Sequence, residues 1–418
     1  MALLIYRMKF FFSIILCVLT CSVSLAQTYT LDHYLDVAKN NSPLLKDLRN
    51  QIASNSVDSL RLRASYKPQV NLNSGALLAP YIDGYGYSSA ITNEHILSAL
   101  MAANQAIVSK KNLHTQLETI TLQSQSIGNT TKISEQDLKK AVTGQYITAY
   151  GSLQQLRFNQ EVVELLSKEE DLLKKLTRAN VYRQSDYLTF LVTLKQQQLQ
   201  LLQSRQQYKN DYSTLNYLAG IADTSMIELQ EPDIQITYPP DINNSIFFRQ
   251  YTLDSLKLIN SRQLVDFSYK PKINIAADGG YNSDFMGQAY KNFGVSAGFN
   301  FTMPVYDGGQ RKMQYRKISL QEETRENYKA FFNSQYHQQI DQIKQQINEN
   351  ENLLNQIDDQ IKYSDSLIKV DSRLLQTGDV KIADLILAIN NYLIVKNLRT
   401  TTFINRLQLI NQLNYWNR

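Results

Sequence analysis

The sequence predicts a mainly α chain with a small membrane β-barrel portion. One unit, a strand hairpin joined to a long helical hairpin, is used twice. Three observations predict this: a helix-to-strand junction occurs in two copies, period-two alternation follows each copy, and two very long stretches then lack proline.

The junction is Ser65-Tyr66-Lys67-Pro68, which returns as Ser268-Tyr269-Lys270-Pro271, 203 positions later. Val70-Asn71-Leu72 likewise returns as Ile273-Asn274-Ile275. Pro68 and Pro271 suit a helix-strand junction, because proline cannot continue a helix and pushes the residue before it toward extended geometry. Asn180 followed by Asp186 matches Gly378 followed by Asp384, and Leu215-Asn216-Tyr217 matches Leu413-Asn414-Tyr415, both at offset 198. So long a period means tandem duplication of a domain-sized unit, not a solenoid. The expected layout is a leader over 1–26, a first repeat over 27–230, a crossover over 231–244 and a second repeat over 245–418.

The 418 residues include 43 basic and 38 acidic side chains, a net charge of +5. That balance is too mild to imply nucleic acid as a partner. A hydrophobic share of 43% and a mean hydropathy of −0.34 exclude a polytopic helical membrane protein. Gly and Pro number only 15 and 8 and cluster in a few places, so long uninterrupted helices are expected.

The N-terminus reads as a signal peptide. Arg7 and Lys9 precede the apolar run from Phe10 to Cys21, and Ser24-Leu25-Ala26 is a small-x-small cleavage site before Gln27. The run is too short to span a bilayer comfortably. Cys17 and Cys21 both lie in it, so the mature chain is expected to have no disulfide, thiolate nucleophile or cysteine metal site. Leu19-Thr20 makes a poor lipoprotein signal for lipidation at Cys21.

Thr28 to Ala64 reads as helix, capped by Thr30 and restarted at Pro43 after Asn41-Ser42. Its counterpart runs from about Phe247 to Phe267. Each is followed by a hairpin, with strands expected at about 69–79 and 91–102, then at about 272–282 and 293–303. In the fourth strand Val295, Ala297, Phe299, Phe301 and Met303 alternate with Ser296, Gly298, Asn300 and Thr302. The third sets Ile273, Ile275, Ala277 and Tyr281 against Asn274, Ala276 and Asp278; the second alternates poorly. Strands of this length and period suit a membrane-spanning barrel, although a soluble sandwich edge would share the pattern.

Long helices are expected over about 106–176 and 309–376. A helix of ~70 residues would be ~105 Å long, and such lengths demand lateral partners. From Ile340 a three-four spacing runs through Ile343, Ile347, Asn350, Leu354, Ile357, Ile361, Ser364, Ile368, Asp371 and Leu375, a coiled-coil register. Another helix, Tyr187 to Leu215, gives a seam of Tyr187, Leu191, Leu194, Gln198, Leu201, Arg205, Tyr208, Tyr212 and Leu215. The other faces are rich in Gln, Asn and Ser, which suits a polar lumen or the outside of a soluble coiled coil. Gly378 and Asn180 are the helix-turn tips, since Gly and then Asn best tolerate the left-handed terminator. The segment 231–244, with Pro232, Pro239 and Pro240, is read as an equatorial crossover between the copies.

Catalytic chemistry is hard to find. His33, His95, His114 and His337 are isolated, and Gly308-Gly309 lacks the Lys-Ser/Thr of a phosphate loop. Glu169-Glu170-Asp171 and Asp358-Asp359 read as solvated helix surface. No enzyme activity, cofactor or metal is expected.

Four strands cannot close a barrel, for which about eight is the practical minimum. Three chains would supply twelve, within the range of outer-membrane barrels. The leader, the duplicated Tyr-Lys-Pro junctions and Phe301-Thr302-Met303-Pro304-Val305-Tyr306-Asp307-Gly308-Gly309 resemble the TolC-like outer-membrane efflux protein family. So does the turn from Gly378 to Asp384 followed by Leu385. The resemblance covers essentially the whole mature chain, and the segment beginning at Pro304, where a strand runs into a long helix, is its most specific piece. The first half has Ile107-Val108-Ser109-Lys110 there, a degenerate version.

The resemblance implies a homotrimer with a 12-stranded β-barrel in outer-membrane lipid and a 12-helix periplasmic α-barrel. It implies partners: a periplasmic adaptor (membrane fusion) protein and an inner-membrane pump of the RND or ABC type. It also implies a gate at the periplasmic tips, where Asp186 and Asp384 hold the acidic positions. The arginine expected after the second turn's glycine is replaced by Val380, and Arg183 in the first turn is the candidate substitute. The bland reading of both aspartates is a partner for the helix N-terminal dipole. The expected function is therefore a passive outer-membrane exit duct of a tripartite efflux or type I secretion system. Its rival is a periplasmic coiled-coil adaptor or scaffold, which would carry one helical hairpin flanked by small β-domains rather than two hairpins, each preceded by a strand pair.

Overall fold

A computed structural model describes residues 29–80, 82–87, 95–223, 225–238, 244–284 and 291–416. The leader, Pro239 and Pro240, and residues 91–94 of the expected second strand lie outside these. In chain order the elements are α1 (Leu31–Asn41), α2 (Pro43–Ser65), β1 (Gln69–Leu78), β2 (His95–Ile107), α3 (Lys110–Arg178), α4 (Gln184–Ala219), α5 (Ile246–Ser268), β3 (Lys272–Ser283), β4 (Phe293–Thr302), α6 (Gln310–Thr377) and α7 (Ile382–Tyr415).

Local chemistry sets the boundaries. The Thr30 hydroxyl accepts the His33 N–H at 3.4 Å, starting α1, and Pro43 opens α2 where its missing N–H costs nothing. Ser245 caps α5 through the Phe247 N–H at 3.3 Å. Gly220 ends α4 in the left-handed region, at φ 69°. Ser109 caps α3, accepting the Asn112 N–H at 3.2 Å, so this degenerate site still begins a helix.

Two expected boundaries need correction. β2 runs to Ile107, not 102, and α3 begins at Lys110, not about 106. Ala102, Ala103 and Ala106 have weak strand propensity and suggest an early helix. Ala102 and Ala103 are held extended by neighbours on both sides, as is Asn104 between Gln69 and Ala276, while Ala106 and Ile107 are held by β3 alone, opposite Asn274 and Ile273. Pairing overrides propensity here.

The chain forms two compact units, each drawing on both sequence halves. One comprises Asp137–Tyr238, Asp341–Tyr415 and the described part of Met1–Ser42. It is helical and has two cores. The first is tyrosine-rich: Tyr34, Tyr146, Tyr208 and Tyr212 pack with Val142, Leu153 and Leu215. Their hydroxyls are satisfied internally. Tyr146 donates to the Gln230 carbonyl at 2.8 Å and Tyr208 to the Ile227 carbonyl at 2.7 Å, sewing the segment after α4 onto the helices. The second core joins Leu173, Phe190, Leu375, Ile382, Leu385 and Ile389.

The seam expected on α6 is the buried stripe: Ile340, Ile343, Ile347, Ile357, Ile368, Asp371 and Leu375 are all buried, and the positions between are half-buried. The seam on α4 shifts by one residue at two places. Phe190 and Ser204 are buried in place of Leu191 and Arg205, and Arg205 is exposed. Phe190 buries more apolar area than Leu191, and Ser204 avoids burying a guanidinium.

The other unit comprises Pro43–Gln136 and the described parts of Pro239–Ile340 and Trp416–Arg418. It contains one antiparallel sheet in the order β1-β2-β3-β4, so the two sequence hairpins join through β2 and β3. Its helical part packs Phe247, Phe248, Phe332 and Tyr336 around Trp416, with ring centroids of Phe247 and Trp416 at 4.9 Å.

Candidate functional site

The sheet separates two faces. Opposed residues of an antiparallel pair share a face. The register sets Val70 and Leu72 opposite Ala103 and Met101, then Ala103 and Ile107 opposite Ala277 and Ile273, then Ile273 and Ile275 opposite Phe301 and Phe299. One face is therefore mainly apolar from β1 to β4, with Ser74 and Gln105 as polar members. The other carries Asn71, Asn73, Asn104, Asn274, Asn300 and Ser296, with Asp278 accepting from the Ser296 hydroxyl at 2.6 Å. Val295 and Phe299 are 91% and 78% exposed, so the apolar face of β4 has no cover among the described residues. β1 and β4 each have one edge unpaired among the described residues. β1 and β4, ten residues each, match the length of tilted membrane strands, and β2 and β3 run beyond it.

β2 and β3 approach closely at Gly280, whose φ is 153°. A Cβ there would lie 2.2 Å from the Ala99 carbonyl oxygen. No other residue fits this join between the two halves.

The junction prolines sit where helix meets strand. Pro68 and Pro271 immediately precede β1 and β3, and Pro304 follows β4. Beyond Pro304, the Asp307 carboxylate accepts the N–H groups of Gly309 and Arg311, both at 2.8 Å, and starts α6. These bonds hold its carboxyl below the usual carboxylate range. The Arg311 guanidinium pairs with Asp266 of α5 at 2.6 Å, and the Tyr315 hydroxyl donates to the same carboxylate. Asp266 is likewise held low, first by Tyr315 and then by Arg311. This network makes the turn rigid.

At the tips, Asn180 and Gly378 adopt left-handed backbone, at φ 60° and 81°. Asp186 and Asp384 stand in the first turns of α4 and α7, their N–H groups bonded to the carbonyls of Arg183 and Lys381 at 3.1 and 3.0 Å. Asp186 is half-buried and Asp384 exposed. Arg183 caps α4 with its backbone, and its side chain forms no ion pair with either aspartate within the chain. Sequence reasoning missed Tyr182. Its hydroxyl donates to the Leu375 and Val380 carbonyls, at 3.0 and 2.9 Å, fastening the first turn to the second. Burial and the nearby Asp379 raise that hydroxyl's pKa. Its signal was available: Tyr182 stands 198 positions before Val380, as Asn180 does before Gly378. A groove of about 740 Å³ beside this turn is lined by Lys174, Arg178, Arg183 and Tyr187.

Among the described residues no group of three or more His, Cys, Asp or Glu is placed to hold a metal ion, and no helix is long and apolar enough to cross a membrane. No family model and no curated protein matches the sequence. Solved structures do match the fold. The channel CusC superposes with a TM-score of 0.77 at 10% identity, over 94% of this chain and 92% of its own. The outer-membrane protein VceC of Vibrio cholerae gives 0.75 at 12%, over 92% and 95%. The MtrE outer-membrane channel of Neisseria gonorrhoeae, in its open state, gives 0.75 at 12%, over 92% and 88%. The chain has the TolC-like outer-membrane channel fold. The strand pairs and the long helices are the parts of that fold in this chain.

Proposed function

We propose that the chain is one protomer of a trimeric outer-membrane exit duct of a Gram-negative bacterium, passing substrates passively through periplasm and outer membrane. The observation that carries this reading is the sheet: an uncovered, mainly apolar face, an asparagine-rich polar face behind it, and two edges unpaired among the described residues. Three copies joined edge to edge would close a twelve-stranded barrel, abolish every edge, turn the apolar face to lipid and the asparagines to a wet lumen. Exposed apolar residues on the helices support self-association too. Tyr363, Leu367, Val370 and Leu374 recur on α6 at spacings of four, three and four, all exposed, which is a coiled-coil stripe awaiting a neighbour.

The tips form the gate, and a periplasmic adaptor and an inner-membrane pump are the partners that open it. Asp186 and Asp384, repeated three times, would place up to six carboxylates round the aperture and favour cations. Carbonate washing of membranes followed by bilayer recording tests the duct. The protein should stay with the membrane and give discrete channels, and release by carbonate would sink the reading. Replacing both aspartates by Asn should lower cation selectivity; unchanged selectivity would remove them from the pore.

A further inference from the structure

The two ends of the sheet differ in charge. At one end, the described residues of 79–87, 284 and 291–292 hold a single cation, Lys291, beside Asp83 and Asp284. At the other end, the stretch from Met303 to Lys317 alone holds Arg311, Lys312, Arg316 and Lys317 against Asp307. Arg311 is taken by Asp266. Lys312, Arg316 and Lys317 are exposed and form no ion pair among the described residues.

These cations stand among exposed apolar groups. Beyond β4, Val305 and Tyr306 are 93% and 90% exposed, although the turn that carries them is locked by Asp307. On the first turns of α6 a groove of about 510 Å³ has Met313 and Leu320 on its apolar floor and Arg316 and Lys317 at its side. A rigid apolar projection beside unneutralised cations is costly in water alone. It matches an amphiphile with an anionic head and a hydrocarbon tail.

We infer that this collar is a binding site for anionic phospholipid of the periplasmic leaflet, its phosphate held by Lys312, Arg316 and Lys317 and its acyl chain lying over Met313 and Leu320. The inference rests on the reading of the sheet as membrane-embedded and adds the lipid class. A free phosphate would use the cations but leave the apolar floor empty, so the floor selects the lipid. Each cation near an anionic surface contributes about fivefold in binding, so three contribute on the order of 100-fold at low salt.

The test uses the full chain, purified in detergent, titrated with phosphatidylglycerol or phosphatidylcholine and read by native mass spectrometry, then reconstituted into vesicles of each. Phosphatidylglycerol should be retained at least tenfold better, and the triple variant K312Q/R316Q/K317Q should lose that preference while keeping its circular dichroism and its assembly. A second variant, M313S/L320S, should weaken lipid retention with the cations intact. An unchanged lipid preference in the triple variant overturns the proposal. So does displacement of the lipid by millimolar inorganic phosphate, which marks a simple anion site. Failure to enter vesicles of either composition would instead overturn the membrane reading; equal insertion and equal retention of both lipids overturns this inference alone.

Discussion

Substituting arginine on either side of β4 separates lipid face from lumen face within one step of chain. Phe299 lies opposite Ile275 on the apolar face, and Asn300 opposite Asn274 on the polar one. Phe299 stands three residues before the strand's end at Thr302, which is ~10 Å along the strand and ~7 Å in depth at a 45° tilt. That lies between the interface and the midplane, where a buried arginine costs about 2 kcal/mol per chain. A trimer incurs it three times, about 6 kcal/mol, or roughly four powers of ten in the assembly constant. Phe299→Arg should therefore abolish the heat-modifiable trimer on a gel. Asn300→Arg should assemble normally and shift bilayer conductance toward anions. If the two behave alike, or in reverse order, the assignment of faces is wrong.

Gly280→Ala should weaken the β2–β3 join by about 2 kcal/mol or more, since both the backbone and the Ala99 carbonyl oppose a Cβ; Gly298→Ala, whose added Cβ meets nothing within 4 Å, should leave thermal unfolding unchanged. In the tyrosine core, burial pushes the Tyr146 hydroxyl up to about 12 and raises Tyr34 and Tyr208 as well. A raised folded-state pKa gives stability that is complete below about 10 and lost as pH climbs through 12. Helicity should therefore fall over that window, and Tyr34→Phe with Tyr146→Phe should flatten the fall; an identical alkaline limb would count against the buried hydroxyls. Tyr182→Phe removes the bonds to Leu375 and Val380, worth about 1 kcal/mol, and should speed proteolysis at the two tips, with unchanged cleavage showing that the hydroxyl holds nothing. Asp307→Ala should lower the melting temperature at neutral pH as a lost cap. Because the Asp307 pKa is lowered, its contribution stands at neutral pH and disappears as pH falls below the usual carboxylate range, so wild type and variant should converge in acid melts.

Much of this was legible in the sequence, for local reasons. Pro68, Pro271 and Pro304 punctuate the chain through their own backbone chemistry, and Asn180 and Gly378 end helices because they tolerate positive φ. Period-two alternation in β4 and the three-four spacing from Ile340 to Leu375 state which faces are apolar without reference to any neighbour. What the sequence left open depends on partners distant along the chain. The end of β2 at Ile107 follows from continued pairing with β3 beyond the last β1 partner at Asn104, against the weak propensity of its alanines. The inward turn of Phe190 and Ser204 in place of Leu191 and Arg205 reflects the shape of the facing core, since a spacing pattern cannot distinguish adjacent candidates. The fastening of one tip to the other by Tyr182, and the need for glycine where β3 crosses Ala99, are contacts spanning about 180 to 200 residues. Composition and periodicity determine which surfaces must be buried; only tertiary packing decides which atoms bury them.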